Sequence, residues 1–138
     1  MAAGVVAGPR GCSVNHDAQT ALLVDDDPRV LRIVSTYLED MGFEVTRASD
    51  GRKAIQRLEA SRPSLLCIDL VLPEASGYDV CRYVRGTDRL KDLPILVISA
   101  RTLPADQALA EELGVREYLV KPFRKADFIS RVQRTLEG

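Results

Sequence analysis

From Thr20 onward, short apolar runs alternate with helical patterns five times, and that alternation leaves few folds open to the chain. The runs Ala21–Val24, Phe43–Ala48, Leu65–Ile68, Ile95–Ile98 and Glu117–Val120 have the length and residue types of strands. The first helix, opened by Asp27-Pro28 and stopped by Gly42, is expected to place Val30, Ile33, Val34, Tyr37, Leu38 and Met41 on one face. Ala54, Ile55 and Leu58 mark the inner face of the second helix, and Val80, Cys81 and Val84 that of the third. The fourth runs roughly from Pro104 to Leu113, and the last is expected to bury Phe128, Ile129, Val132 and Leu136. Strand–helix repetition of this kind implies a parallel sheet whose right-handed crossovers put helices on both faces. Four of the strands are nearly unbroken apolar runs, as burial on both faces requires.

The expected architecture is therefore an α/β, flavodoxin-like (βα)5 doubly wound sandwich, its five-stranded parallel sheet in the order 2-1-3-4-5. A chain of 138 residues suits one such unit, taken as residues 20–138. Residues 1–19 are rich in Gly and Ala, show no periodicity and read as a flexible N-terminal tail; Pro9-Arg10 interrupts any signal-peptide core. No apolar run reaches the roughly 20 residues of a membrane span, so the expected location is cytoplasmic. The net charge is −1 with the basic residues scattered, which gives no footprint for direct binding of nucleic acid or an anionic membrane. Cys12, Cys67 and Cys81 form no CxxC pair, so neither a disulfide framework nor a zinc site is indicated.

In such a sheet, ligands bind beyond the carboxyl ends of the strands, where the strand order reverses, here between strands 1 and 3. That is where Asp25, Asp26 and Asp69 emerge. Like charges gathered there raise one another's pKa or call for a cation, and oxygen-only ligands suit a hard ion such as Mg²⁺. Asp27 reads as the cap of the first helix. Ser99 and Lys121 follow the fourth and fifth strands, and lysine is scarce in this chain. A cation, a hydroxyl donor and a carboxylate-bound metal around one further carboxylate are the parts of a phosphoryl-transfer site.

The motifs Leu-Val-Asp-Asp-Asp-Pro (23–28), Asp69 with Pro73 and Gly77, Ile-Ser-Ala (98–100) and Tyr-Leu-Val-Lys-Pro-Phe (118–123) occur in a characteristic order and spacing. From about Thr20 to Leu136 the chain resembles the receiver domain of two-component response regulators, the CheY-like family. The resemblance implies that Asp69 accepts a phosphoryl group from a phosphohistidine on a sensor histidine kinase or phosphotransfer protein. It implies Mg²⁺ held directly by Asp26, through water by Asp25, and by Asp69 and the backbone carbonyl of Val71. Lys121 would pair with Asp69 and then with its phosphate, Ser99 would swing to that phosphate, and Tyr118 would change position in step. The Lys121–Pro122 bond would be cis, aiming the lysine inward.

Output would pass through the face made by helix 4, strand 5 and helix 5, toward a downstream protein, an effector domain or a second copy of the chain. No turnover of a diffusing metabolite is implied, only the domain's own phosphorylation and dephosphorylation. Two departures from the family's pattern stand out. Val71 and Arg101, each two residues past a site residue, are implied by the resemblance to flank the phosphate and influence its lifetime. Val71 is apolar where a polar residue would orient water, which predicts slow self-hydrolysis, and the loop 72–77 lacks the acidic residue commonly found before Gly77. Rival readings fit less well. An aspartyl-nucleophile hydrolase of the haloacid-dehalogenase kind would carry a second Asp at the place of Val71. A nucleotide-binding domain would need a Gly-rich turn where Asp26-Asp27-Pro28-Arg29 stands. The alternative within the family is a receiver-like interaction module that works without phosphorylation. No effector follows the last helix, so the sequence is expected to be a stand-alone receiver or one excised from a larger regulator.

Overall fold

The computed structural model describes residues 19–101, 103–115 and 117–137. Ten elements alternate: β1 (Gln19–Val24), α1 (Pro28–Asp40), β2 (Phe43–Ala48), α2 (Gly51–Ala60), β3 (Leu65–Ile68), α3 (Gly77–Arg85), β4 (Ile95–Ser99), α4 (Pro104–Glu112), β5 (Glu117–Val120) and α5 (Lys125–Glu137). All strand pairs are parallel and the order is β2-β1-β3-β4-β5, as the alternation required. The expected tail lies outside the described residues except for Gln19, which already belongs to β1.

Local chemistry starts the helices. Asp27 caps α1 by accepting from the Arg29 amide at 2.9 Å, with Pro28 at the first helical position. Asp50 caps α2 through the Lys53 amide at 2.7 Å. Ser76 and Asp79 exchange side-chain-to-backbone bonds as a capping box at α3. By contrast, α4 begins on a residue, Leu103, that makes no side-chain cap.

The pleat sorts the strand residues between two cores. Ala21 and Leu23 of β1 face α1 and α5, where they join Val34, Leu38, Phe128 and Val132. Leu22 and Val24 face the other side, with Ala54 and Leu58 of α2, Val80 and Val84 of α3 and Ala110 of α4. Phe128 is fully buried, its ring 5.9 Å from that of Tyr37 and 6.0 Å from that of Phe123. Cys67 and Cys81 are buried one on each side, as small apolar residues.

Two helical faces sit differently from the sequence expectation. Ile33 is 49% exposed, while Leu31 packs against the core and Ser35 is buried. The face of α1 is centred on Val34 and Leu38, and Ile33, one residue back, is turned about 100° away from that line. In α5, Thr135 is buried in place of fully buried Ile129 and Leu136, which are only half-covered. Its hydroxyl is satisfied by donating to the Arg131 carbonyl at 2.7 Å, so burial there leaves no unpaired group.

Candidate functional site

The ladder between β1 and β3 carries the site. Val24 and Ile68 are register partners, and the pairing continues past them: the Asp69 amide donates to the Val24 carbonyl at 3.0 Å, and the Asp25 amide to the Ala48 carbonyl at 3.2 Å. Two carboxylates are thus delivered side by side by backbone geometry. Beyond them the chain departs to opposite faces, α1 joining α5 on one side and α3 joining α2 on the other. This is the reversal point of the sheet, where a crevice must form.

Asp25 is 1% exposed and Asp69 6%, whereas Asp26 is exposed, and carboxylate oxygens of the three lie within 4.8 Å of one another. Lys121, one residue past β5, reaches into this cluster. Its ammonium donates to Asp25 Oδ2 at 2.7 Å and to Asp69 Oδ2 at 2.8 Å. The other oxygen of Asp25 accepts from the Asp27 amide at 2.9 Å, and that of Asp69 from the Val71 amide at 3.1 Å. Burial pushes the Asp25 carboxyl above its usual range, opposed by Lys121 and the Asp27 amide and reinforced by the charge of Asp69. Burial also works to lower the Lys121 ammonium, but its hydrogen bonds to the two carboxylates outweigh that and hold it above the ordinary lysine range. The site therefore holds a charged ammonium between buried carboxylates, with a third carboxylate beside them in water. Its donor set is entirely oxygen, with no Cys or His in the cluster, which fits a hard divalent cation and not a soft one.

The remaining sequence-predicted residues surround this core. Ser99 is fully buried at the end of β4, its hydroxyl oxygen accepting from the Arg101 amide at 3.2 Å. The Lys121 amide donates to the Ser99 carbonyl at 2.9 Å, so the ends of β4 and β5 are tied together. The Tyr118 hydroxyl donates to the Arg101 carbonyl at 2.8 Å, and burial raises that phenol while the neighbouring Ser99 hydroxyl eases it. The Val71 side chain is 52% exposed at the rim. The Lys121–Pro122 bond is cis. Gly77 explains its own place in the motif: a Cβ there would stand 2.2 Å from the Asp69 carbonyl oxygen and 2.6 Å from the Leu70 Cα. Only glycine lets α3 begin directly behind Asp69.

Three polar groups form a network that the sequence did not reveal. The Tyr78 hydroxyl donates to Asp106 Oδ1 at 2.5 Å, and Arg101 Nε donates to Asp106 Oδ2 at 3.1 Å. Asp106 is 6% exposed, and its two donors hold its carboxyl below the usual range, Tyr78 ahead of Arg101. In sequence, an Asp in the first turn of a helix reads as a complement to the helix dipole. Nothing local announces a partner 28 positions away. A cleft of about 730 Å³ among Arg85, Pro94, Gly114 and Leu136 shares no residue with the acidic cluster.

Comparison with known proteins places this geometry. The model of the response regulator receiver domain matches residues 21–133. The chain is similar to the transcriptional regulatory protein GltR of Pseudomonas aeruginosa, at 35% identity over 123 residues, 89% of this chain and 51% of that protein. It spans about half the length of the curated relatives it matches. Among solved structures, the chemotaxis response regulator CheY4 of Vibrio cholerae superposes with a TM-score of 0.81 at 31% identity, over 86% of this chain and 98% of that one. The receiver domain of a sensor histidine kinase from Pseudomonas aeruginosa, described with a magnesium ion coordinated in its active-site cleft, has a TM-score of 0.79 at 30% identity, over 88% and 99%.

Proposed function

This chain belongs to the response regulator receiver domain family, and from that premise we propose that it is a phosphorylation switch whose acceptor is Asp69. The donor would be a phosphohistidine on a sensor histidine kinase or a phosphotransfer protein. The observation that carries this reading is Lys121 bridging Asp25 and Asp69 at 2.7 and 2.8 Å at the reversal point of the sheet. A lysine that binds the acceptor carboxylate before transfer is positioned to bind the phosphate after it.

In the transfer, a carboxylate oxygen of Asp69 attacks phosphorus as the nitrogen–phosphorus bond of the donor breaks, and the electron pair leaves on the imidazole. Asp25, Asp26 and Asp69, with the Val71 carbonyl, would hold Mg²⁺, which supplies neutralising charge for the phosphoryl oxygens. Lys121 keeps its charge because the carboxylates around it favour the ammonium, and it contributes a second, protein-held neutraliser. Ser99, buried and free to rotate its hydroxyl proton, would donate to the new phosphate, drawing the β4–α4 loop after it. Tyr118, tied to that loop at the Arg101 carbonyl, would move with it. The acyl phosphate carries about −2 charge where the carboxylate carried −1, with new acceptor oxygens at one sheet edge, and the resulting loop shift would alter the α4–β5–α5 face.

Residues 20–138 as the switching unit, a cytoplasmic setting and a downstream protein, effector domain or second copy at that face are parts of the same reading. Among the described residues, no helix is long and apolar enough to cross a membrane. The test is intact-protein mass after incubation with acetyl phosphate, with and without Mg²⁺, beside Asp69→Asn. A Mg²⁺-dependent gain of one phosphoryl group in the wild type alone is the expected result. A folded wild-type protein that gains nothing would leave the reading without its chemistry.

A further inference from the structure

Arg101 has a choice of anions, and the structure shows which one it holds. Its amide lies 3.2 Å from the Ser99 hydroxyl oxygen, so its backbone starts beside the phosphate site. The long stem of an arginine, with its planar fork of donors, suits a phosphate as well as a carboxylate. Here the guanidinium is turned to Asp106 at 3.1 Å. Asp106 in turn is fixed from its other oxygen by Tyr78, the second residue of α3. That helix begins against the Asp69 carbonyl through Gly77, so the anchor of the network stands on the same frame as the acceptor.

We infer that Tyr78 and Asp106 form a latch that withholds Arg101 from the acyl phosphate at Asp69 and so shortens the life of the phosphorylated state. The inference rests on the phosphoacceptor reading of Asp69. Releasing Arg101 would leave the carboxylate of Asp106, only 6% exposed, with Tyr78 as its remaining donor. An unpaired buried charge is costly, so the new phosphate must compete against that loss as well as against the ion pair itself. The 47% exposure of the Arg101 side chain shows that no packing confines the guanidinium there; its partner does. Asp106 and Tyr78 are positioning residues in this scheme, acting only through where Arg101 points. Freed, the guanidinium would form charge-assisted hydrogen bonds to the phosphate oxygens and shield phosphorus from attacking water.

The test is a double-mutant cycle on the full chain. Protein is phosphorylated with acetyl phosphate and Mg²⁺, the donor is removed, and loss of the phosphoryl group is followed by intact mass. Asp106→Asn keeps the shape and an acceptor for Tyr78 while removing the charge that holds Arg101. Its phosphate is expected to persist on the order of tenfold longer, the worth of one charge-assisted hydrogen bond. Arg101→Ala alone is expected to change the lifetime little, because the wild-type guanidinium is already withheld. The double variant should return to the Arg101→Ala lifetime, and beryllofluoride affinity, measured by NMR titration with Mg²⁺ present, should follow the same pattern.

If Asp106→Asn prolongs the phosphate equally with Arg101 removed, the effect runs through the helix and the latch is overturned. A severalfold shorter lifetime in Arg101→Ala alone would overturn it too, since the arginine would then already be engaged; this arm stands even if Asp106→Asn fails to fold. A wild type that accepts no phosphoryl group sinks both readings, whereas a phosphorylated wild type with an unchanged Asp106→Asn lifetime sinks the latch alone.

Discussion

Lys121 does two jobs at the scale of single residues, and they can be separated. Sequence and resemblance assign it to Asp69; the structure adds an equally short bond to Asp25, at 2.7 Å, between a side chain 20% exposed and one 1% exposed. Without the ammonium, two nearly buried carboxylates face each other with no other cation among the described residues paired to them. Lys121→Met is therefore expected to lower stability by about 2 kcal/mol, the penalty for removing one partner of a largely buried pair reduced for its partial exposure. Urea denaturation checks this, and added MgCl₂ should recover part of the loss by restoring positive charge among the same oxygens. An unchanged urea midpoint without metal would mean that water already compensates the two acids. Val71 makes the complementary case, because its consequence is an expectation drawn from sequence and resemblance. An apolar, 52% exposed side chain at the rim cannot orient a water for attack on the phosphate. The phosphorylated wild type should lose its group slowly, and Val71→Asn should shorten its half-life severalfold in the same mass assay.

Among the elements, α4 is attached in an unusual way. It buries only Asp106 and Ala110, whereas α3 buries Gly77, Val80, Cys81 and Val84. Polar hooks from the two ends of α3 do the holding. Tyr78 takes Asp106 in the first turn of α4, and Arg85 donates to the carbonyls of Leu113 and Gly114 just past its last turn, at 2.8 and 3.1 Å. Further bonds from Arg85 to the Lys91 and Leu93 carbonyls bind the approach to β4 into the same clamp. A helix held this way should open locally at lower free energy than its neighbours, which is what a switching element needs. Backbone amides of α4 are expected to exchange hydrogen faster than those of α3 or α5. Arg85→Ala should accelerate α4 exchange further and cost about 1–3 kcal/mol, in the range for charged hydrogen bonds. Protection of α4 equal to that of α5 would show that its apolar contacts suffice. None of this was legible in sequence. The existence of α4 follows from Pro104 and Gly114 as start and stop, but an Asp and an Arg on amphipathic helices look solvated until their partners, 28 positions away, are known.

At the scale of the whole molecule, the fold was legible because parallel sheets impose their own pattern. A strand covered on both faces must be apolar throughout, so β3 and β4 announced themselves, and crossover handedness then fixed the order. The acidic site was legible for the same reason, since residues at strand ends are placed by topology and need no side-chain detail. Errors fell where a helical face is decided by packing, as at Ile33 and Thr135. Burial of Cys67 and Cys81 on opposite sides of the sheet gives a probe of the fold as a whole. Burial pushes the Cys81 thiol up to about 12 and that of Cys67 further, while a thiol in the unfolded chain ionises near 8.5. Below about pH 8.5 both states hold these protons, and the fold loses nothing. Above it only the unfolded chain releases them, so stability falls as pH rises toward the folded values. At about pH 8.5 the slope is half its limit, and by about pH 10 the two thiols together should cost the fold roughly 3 kcal/mol per pH unit. Unfolding free energies measured across that range should fall steeply in the wild type and flatten in a Cys67→Ala/Cys81→Ala variant. Equal slopes would mean that the thiols meet solvent in the native state. In a Cys12→Ser background at pH 8, a thiol reagent should then label the remaining cysteines quickly; the buried arrangement requires it to label them only as the protein unfolds.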